Sequence, residues 1–434
     1  MLGSLAQSAI YLTDSVFVGR LGAVPLAAVG LGGLLFYLLT TVGAGLAVGL
    51  QILTARRLGQ GRRRAVGRLL DNALYLSLAL AAGQGLLSYA LVPWLASRLV
   101  DDAAVAQAMC QYLRIMAWAL PASFGWHCLA GFFTGIARTR VISLSTLLMT
   151  AANVALNYGW VWGGWGLPRL GIAGSAWASV VSEGAGALVL LLALLRPGLR
   201  RRYQLLRHGP MRLVLRRLLG FGAPIVGKQL VETAGWFGFF VLVGALGREA
   251  LAVSNIVRSV YTVLSLPSLA LASAIYTLTS RYLGQRRPAL LAPVIARTVA
   301  LSLLITLPPA LAPALLPVRI GGLFTSEPAL NAALVPLAPV LTLILTLFAV
   351  SNILYNSIIG LGGAGRAFQM EVVAIAAYLL AAYAAVHWLG LPLAGVWAAE
   401  LVYWLVLGGL AGGFLLVRRW RRQRLEAVNA RMSS

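Results

Sequence analysis

Hydrophobic runs long enough to cross a bilayer follow one another along almost the whole chain, and they leave few options for its fold. A span needs ~20 mostly apolar residues, and within hydrocarbon a helix satisfies its backbone hydrogen bonds from its own segment. By that measure the sequence holds twelve helices, over residues 2–19, 27–54, 70–97, 107–135, 140–162, 171–195, 219–245, 250–279, 290–316, 331–359, 368–389 and 394–417. Hydrophobic residues make up 60% of the chain and charged residues 11%, against about 25% charged in soluble domains. The expected class is all-α and polytopic. Met1 runs straight into apolar sequence without a basic leader or small-residue cleavage site, so no cleavable signal is expected.

The twelve spans read as a duplication of six. Leu21-Gly22-Ala-Val-Pro-Leu26-Ala27 recurs as Leu246-Gly247-Arg-Glu-Ala-Leu251-Ala252. Leu53-Thr54-Ala-Arg56-Arg-Leu58-Gly59-Gln60 recurs as Leu278-Thr279-Ser-Arg281-Tyr-Leu283-Gly284-Gln285, at the same offset of 225 residues. Further on, Gly135-Ile-Ala-Arg138 matches Gly363-Ala-Gly-Arg366, and Ala173-Gly174-Ser-Ala-Trp-Ala178 matches Ala394-Gly395-Val-Trp-Ala-Ala399. An even number of spans separates the copies, so they share orientation and form a parallel repeat of two lobes. The expected organisation is an N-lobe over 1–195, a basic cytoplasmic linker over 196–217, a C-lobe over 218–417 and a basic tail over 418–434. Two lobes suit a transporter better than a channel, which gathers subunits around a pore.

The net charge of +24 would suggest nucleic acid in a soluble protein. Here the arginines sit in alternate loops: 27 of 34 fall on one face, while the other face holds Arg20, Arg98, Arg169, Arg248 and Arg319. That asymmetry places both termini and the 196–217 linker in the cytoplasm, the linker either lying along an anionic inner leaflet or serving only as a topology anchor and tether. No nucleic-acid partner is expected. Cys110 and Cys128 fall in one expected helix and are read as free thiols, and His127, His208 and His387 are far apart. No metal cluster, cofactor site or catalytic triad is expected, so the chain is not read as an enzyme.

Asp14 stands near the middle of the first run, Gly3 to Gly22. An ionised carboxylate inside hydrocarbon costs at least ~3 kcal/mol, so such an acid reads as functional. Asn153 and Asn157 lie one helical turn apart and face one way, and Ser175, Ser179 and Glu183 repeat that spacing on the sixth span. Glu183 is an intramembrane acid without an assigned partner. Lys228, the single lysine, precedes Glu232 by one turn and is placed to form an ion pair with it. Glu400 is the repeat counterpart of Ser179, while Glu371 and Asp71 read as acids near the cytoplasmic interface without a transport role. Trp126, Trp236, Phe237, Phe239, Phe240 and Tyr355 are candidates for cation–π contact, although most aromatics at such spacings pack helices.

The chain resembles the multidrug and toxin extrusion (MATE) family, in its bacterial NorM/DinF-like form. The matching residues are Asp14 with Val18-Gly19-Arg20-Leu21-Gly22, Leu26-Ala27-Ala28, Leu58-Gly59-Gln60, Gly131 with Gly135, Asn153 with Asn157, and Pro168-x-Leu170-Gly171-Ile-Ala-Gly174. The resemblance implies a two-lobe antiporter that expels amphiphilic, cationic small molecules in exchange for protons or sodium. It implies that Asn153, Asn157 and Ser175 or Ser179 cluster with Asp14 and supply oxygens, which also suit sodium as a hard ion. The family often carries an aspartate where Asn157 stands, and one negative charge fewer favours protons. Glu232, eight residues after Pro224, matches an acid of the NorM-type branch, whose second C-lobe acid is replaced here by Ser351-Asn352. The first helix of the family is preceded by more residues, so the natural start is expected upstream of Met1 or the helix is short. A monomer in the cytoplasmic membrane is expected. The alternative is a lipid-linked oligosaccharide flippase of a related branch, which would line its cleft with several cations. Only Lys228, Arg114 and Arg258 fall well inside spans.

Overall fold

The computed structural model describes residues 13–322 and 327–433, and every regular element among them is helical. Residues 2–12 of the first expected helix lie outside the described residues. The remainder, α1, covers 13–19. It is followed by α2 (Ala23–Gly59), α3 (Arg63–Leu99), α4 (Ala103–Met116), α5 (Leu120–Gly135), α6 (Arg140–Trp162), α7 (Ile172–Leu195) and the short α8 (Pro197–Tyr203). The second half comprises α9 (Arg212–Gly244), α10 (Arg248–Gly284), α11 (Leu291–Leu315), α12 (Pro317–Gly321), α13 (Pro328–Leu334), α14 (Leu337–Gly360), α15 (Ala364–Tyr383), α16 (Leu393–Trp397) and α17 (Ala399–Ser433).

Among the described residues nine helices are long and apolar enough to span alone. The other three spans are α1, the pair α4–α5, and α9, whose middle carries Lys228, Gln229 and Glu232. The expected helix 107–135 is thus divided, with a tight turn at Ala117–Ala119 between its halves. Pro121 is the cause: it has no N–H to donate, and its ring crowds the carbonyl one turn earlier. The expected helix 331–359 is divided likewise, at Pro336, which caps α14.

Backbone contacts divide the chain into two units, Met1–Val226 and Gly227–Ser434, so the boundary falls inside α9. In the first unit α5 packs on α2, α3 and α7, and in the second α14 packs on α10, α11 and α17. The repeat is visible in the backbone itself. Helices α2 and α10 are both 37 residues long, and each is preceded by a glycine, Gly22 at φ 123° and Gly247 at φ 106°. Those values lie where a Cβ is strained, so glycine is required before each of the two helices. A Cβ on Gly135 would sit 2.9 Å from the Gln51 carbonyl, and one on Gly360 would sit 2.9 Å from the Tyr276 carbonyl. Gln51 and Tyr276 are 225 residues apart, as are Gly135 and Gly360. The structural partner of Gly135 is therefore Gly360, three residues before the Gly363 that local identity suggests.

The basic linker packs against the helices of the first unit. Leu199, Tyr203 and Leu205 are buried in one cluster with Leu50, Phe132 and Leu194. Asp71 on α3 accepts from the backbone N–H groups of Leu206 (2.8 Å), Arg207 (3.1 Å) and His208 (3.1 Å), and lies 2.8 Å from His208 Nδ1. The neighbouring Asn72 accepts from the Met211 N–H. Asp71 is thus a structural anchor for the linker within the first unit, a local role that its sequence context does not reveal.

Candidate functional site

Helix α1 is fixed before it presents its acid. Val18 is buried, the Phe17 ring lies 4.7 Å from that of Trp162 on α6, and the Arg20 guanidinium sits 5.0 Å over the same indole. The α6–α7 connection is equally constrained, with Leu170 N–H donating to the Trp160 carbonyl (2.7 Å). These contacts set three helices at fixed distances around one buried carboxyl group.

Asp14 is 3% exposed and receives three donors. Asn157 Nδ2 donates to Oδ1 at 2.8 Å, Asn153 Nδ2 to the same oxygen at 3.3 Å, and Ser179 Oγ to Oδ2 at 2.8 Å. Asn153 Nδ2 also reaches Ser179 Oγ (3.2 Å), and Asn157 Nδ2 reaches the Asn153 carbonyl (3.0 Å). The turn-spaced residues of α6 and α7 therefore meet α1 as the family resemblance implies. Ser175 is fully buried one turn before Ser179, near enough to act on the Asp14 carboxyl but outside hydrogen-bond distance. Of the two expected hydroxyls, Ser179 is the one that hydrogen-bonds to the acid. Glu183 continues the α7 row beside Ser123 of α5, close enough for its charge to sense Asp14, with Oε2 unpartnered.

Asn153 Oδ1, Asn157 Oδ1 and Ser175 Oγ are all buried without a partner. Buried polar atoms are paired in the great majority of cases, and these three lie close to one carboxylate. Among the described residues no three His, Cys, Asp or Glu side chains are placed to hold a metal ion. A cation here would be held by one carboxylate and neutral oxygens, a donor set suited to a proton or a hard monovalent ion.

The second unit builds something different at the equivalent positions. Phe239 stands where the repeat places Asp14, and it stacks on Tyr378 with ring centroids 5.4 Å apart. Lys228 Nζ lies 2.6 Å from Glu232 Oε2, forming the expected ion pair, and 5.8 Å over the Tyr355 ring. Both line a cavity of about 100 Å³ that also holds Trp236, Glu371 and Glu400. Glu400 is 3% exposed and accepts from Trp404 Nε1 (3.2 Å).

Glu371 corrects the sequence reading. It is fully buried, lines the cavity and accepts from Tyr403 Oη at 2.6 Å. Its nearness in sequence to Arg366 at the start of α15 suggested an interfacial position. The packing of α15 against α14 and α17 turns it inward instead. Tyr403, four residues before Leu407 on the cavity-lining row of α17, carried the available signal. Of the aromatic candidates, Trp236 and Tyr355 line the cavity; Trp126 is buried and donates to Ser145 Oγ (2.9 Å), and Phe237 is 69% exposed.

Comparison with known proteins adds a family. A profile described as MatE matches residues 1–159 and 224–386. A probable multidrug resistance protein NorM of Pseudomonas aeruginosa is 30% identical over an aligned length of 445 residues, covering 97% of this chain and 87% of that protein. The multidrug resistance protein NorM of Burkholderia vietnamiensis is 30% identical over 354 residues, covering 80% and 76%. Among solved structures, a MOP superfamily transporter from Pyrococcus furiosus, described as having a binding pocket of reverse polarity, aligns with a TM-score of 0.88 at 22% identity, covering 99% of this chain and 94% of that one. An outward-facing multidrug resistance MATE family transporter aligns at 0.87 and 23% identity, covering 98% and 94%. At these identities the structures speak for the fold alone, twelve helices in two lobes.

Proposed function

The chain belongs to the MatE family, and from that premise we propose that it is a proton-coupled antiporter that expels amphiphilic cations across the cytoplasmic membrane. As a member it is a multi-pass membrane transporter and not an enzyme. The observation that carries the rest is Asp14, buried under three donors with two vacant amide oxygens beside it.

The ionised carboxylate is satisfied by Asn153, Asn157 and Ser179. A protonated carboxyl needs an acceptor for its own O–H, and rotation of either amide would offer Oδ1. Proton binding therefore rearranges contacts between α1, α6 and α7, a change of packing that alters the relative stability of two conformations. Proton and substrate are coupled only if each has different affinity for those conformations. One charge moving through 100 mV supplies ~2.3 kcal/mol, to which a pH gradient adds. Export of drug-like compounds is supported by the names of the NorM relatives. Positive-inside asymmetry supports termini facing the cytoplasm.

A flippase for pyrophosphate-linked lipids would need a cationic cavity. The cavity of the second unit offers Glu232, Glu371 and Glu400 against the one ammonium of Lys228, which is the opposite sign. The test is transport of ethidium by purified protein in liposomes under an imposed pH gradient and, separately, a sodium gradient. Accumulation with the pH gradient alone is expected. Full transport under sodium alone would replace the proton by sodium, and transport under neither would rule out antiport.

A further inference from the structure

The Asp14 cluster leaves one carboxyl group of the first unit without a role. Glu183 lies one turn beyond Ser179 on α7, so it shares the helix face that carries the Asp14 donor. The residue is partly buried, and its Oε2 is enclosed without a hydrogen-bond partner. Ser123 of α5, 5% exposed, lies against the carboxyl group, and Asp14 is near enough for its charge to act there. Among the described residues no cation forms an ion pair with Glu183. Of the other ionisable groups on the helices packed against α7, Arg114 of α4 lies over the Tyr89 ring of α3 (5.3 Å), His127 of α5 lies beside the Trp126 ring (5.2 Å), and Arg140 opens α6. Tyr112 of α4 is turned toward Gly32 and Tyr158 of α6 toward Trp162 and Trp165, while the arginines of α8 follow the far end of α7.

The stretch of α7 that carries Glu183 is held at both ends. One turn earlier, Ser179 donates to Asp14 Oδ2 (2.8 Å) and accepts from Asn153 Nδ2 (3.2 Å). About one turn later, the Gly186 carbonyl accepts from Ser145 Oγ of α6 (2.7 Å), and that hydroxyl accepts from Trp126 Nε1 of α5 (2.9 Å). A Cβ on Gly186 would sit 2.9 Å from the Met149 sulfur, so α6 and α7 are in close contact at this level. A shift of α7 that follows protonation of Asp14 is therefore passed to Glu183 through one rigid turn of helix.

We infer that Glu183 is a second proton-binding residue of the first unit, joined to Asp14 through α7, so that two protons enter for each substrate cation exported. The inference rests on the antiporter reading for the direction of exchange. On loading, one O–H bond forms at Asp14 and another at Glu183, and both break when the protons are released to the cytoplasm. With both protons gone, two carboxylates on neighbouring turns repel each other without a cation between them, which favours reloading. Two protons entering against one singly charged cation leaving move one net charge inward, so the membrane potential drives export together with the pH gradient. One proton per singly charged cation would move no net charge.

The experiment measures the ethidium gradient at which net movement stops, using the purified full chain in liposomes with the voltage held at zero by potassium and valinomycin. Under a pH gradient of about one unit, two protons per ethidium sustain about a hundredfold gradient and one proton about tenfold, since each proton contributes a factor of about ten. Wild type is expected near the larger value and Glu183→Gln near the smaller one. Glu183→Asp keeps a carboxyl group and is expected to match wild type. A side chain with a purely structural role changes how fast the gradient is reached and not its size. If Glu183→Gln is not monodisperse, Glu183→Met carries the same prediction. Wild type at about tenfold, or a neutral variant at about a hundredfold, overturns this inference and leaves the antiporter reading in place. Wild type that sustains no gradient removes the proton antiporter reading as well.

Discussion

At Asp14 the chain directs three side-chain donors at one carboxyl group, and each can be removed separately. Asn157 makes the shortest amide contact, 2.8 Å. Asn157→Ala is expected to slow pH-driven export about tenfold, since a hydrogen bond to a charged group contributes ~1.5–3 kcal/mol. The protein should stay folded, because intramembrane contacts of this kind add only ~0.6 kcal/mol to stability. Export at the wild-type rate, measured in liposomes, would remove Asn157 from the coupling site. Turn spacing puts Asn153 and Asn157 on one face of α6, but their meeting with Asp14, and with Ser175 or Ser179, was legible only through the family resemblance. Glu371 was not legible, since its direction depends on which face of α15 meets α17. Neither residue spacing nor the nearby Arg366 encodes that choice.

At the scale of elements, close approach and anchoring hold the helices and the linker in place. Valine at Gly135 would press on Thr54 as well as on the Gln51 carbonyl, where even a Cβ would lie 2.9 Å away. Overpacking of this kind costs ~1–3 kcal/mol, so Gly135→Val should lower the melting temperature by several degrees. Unchanged melting would mean that α2 and α5 can separate without cost. Asp71→Ala tests the anchor. It removes the acceptor of three backbone N–H groups in the linker. Trypsin cleavage after the exposed Arg207 should accelerate about tenfold, in line with the loss of charge-assisted bonds. An unchanged cleavage rate would show that burial of Leu199, Tyr203 and Leu205 holds the linker by itself. Helix positions followed from apolar runs, whereas the breaks at Ala117–Ala119 and Pro336 did not. A proline inside an apolar run leaves hydropathy unchanged, and whether it bends or divides the helix is settled by the neighbours that take up the freed backbone groups.

At the scale of the whole molecule, a duplication has diverged. The repeat keeps its backbone, as Gly22 and Gly247 or Gly135 and Gly360 demonstrate, while its chemistry has separated into an amide-lined acid in one unit and an acid–aromatic cavity in the other. Orientation follows from charge: cysteine at position 206, in a background without Cys110 and Cys128, should react with an impermeant maleimide in everted vesicles and stay protected in right-side-out ones. The reverse pattern would invert the direction of transport. The central claim is that Asp14 couples inward ion movement to export, and everted vesicles test it most directly. Under an imposed pH gradient, Asp14→Asn is expected to be present at wild-type levels and to have lost gradient-driven movement of a fluorescent cation. Asp14→Asn that moves the cation as fast as wild type would contradict the coupling role of Asp14.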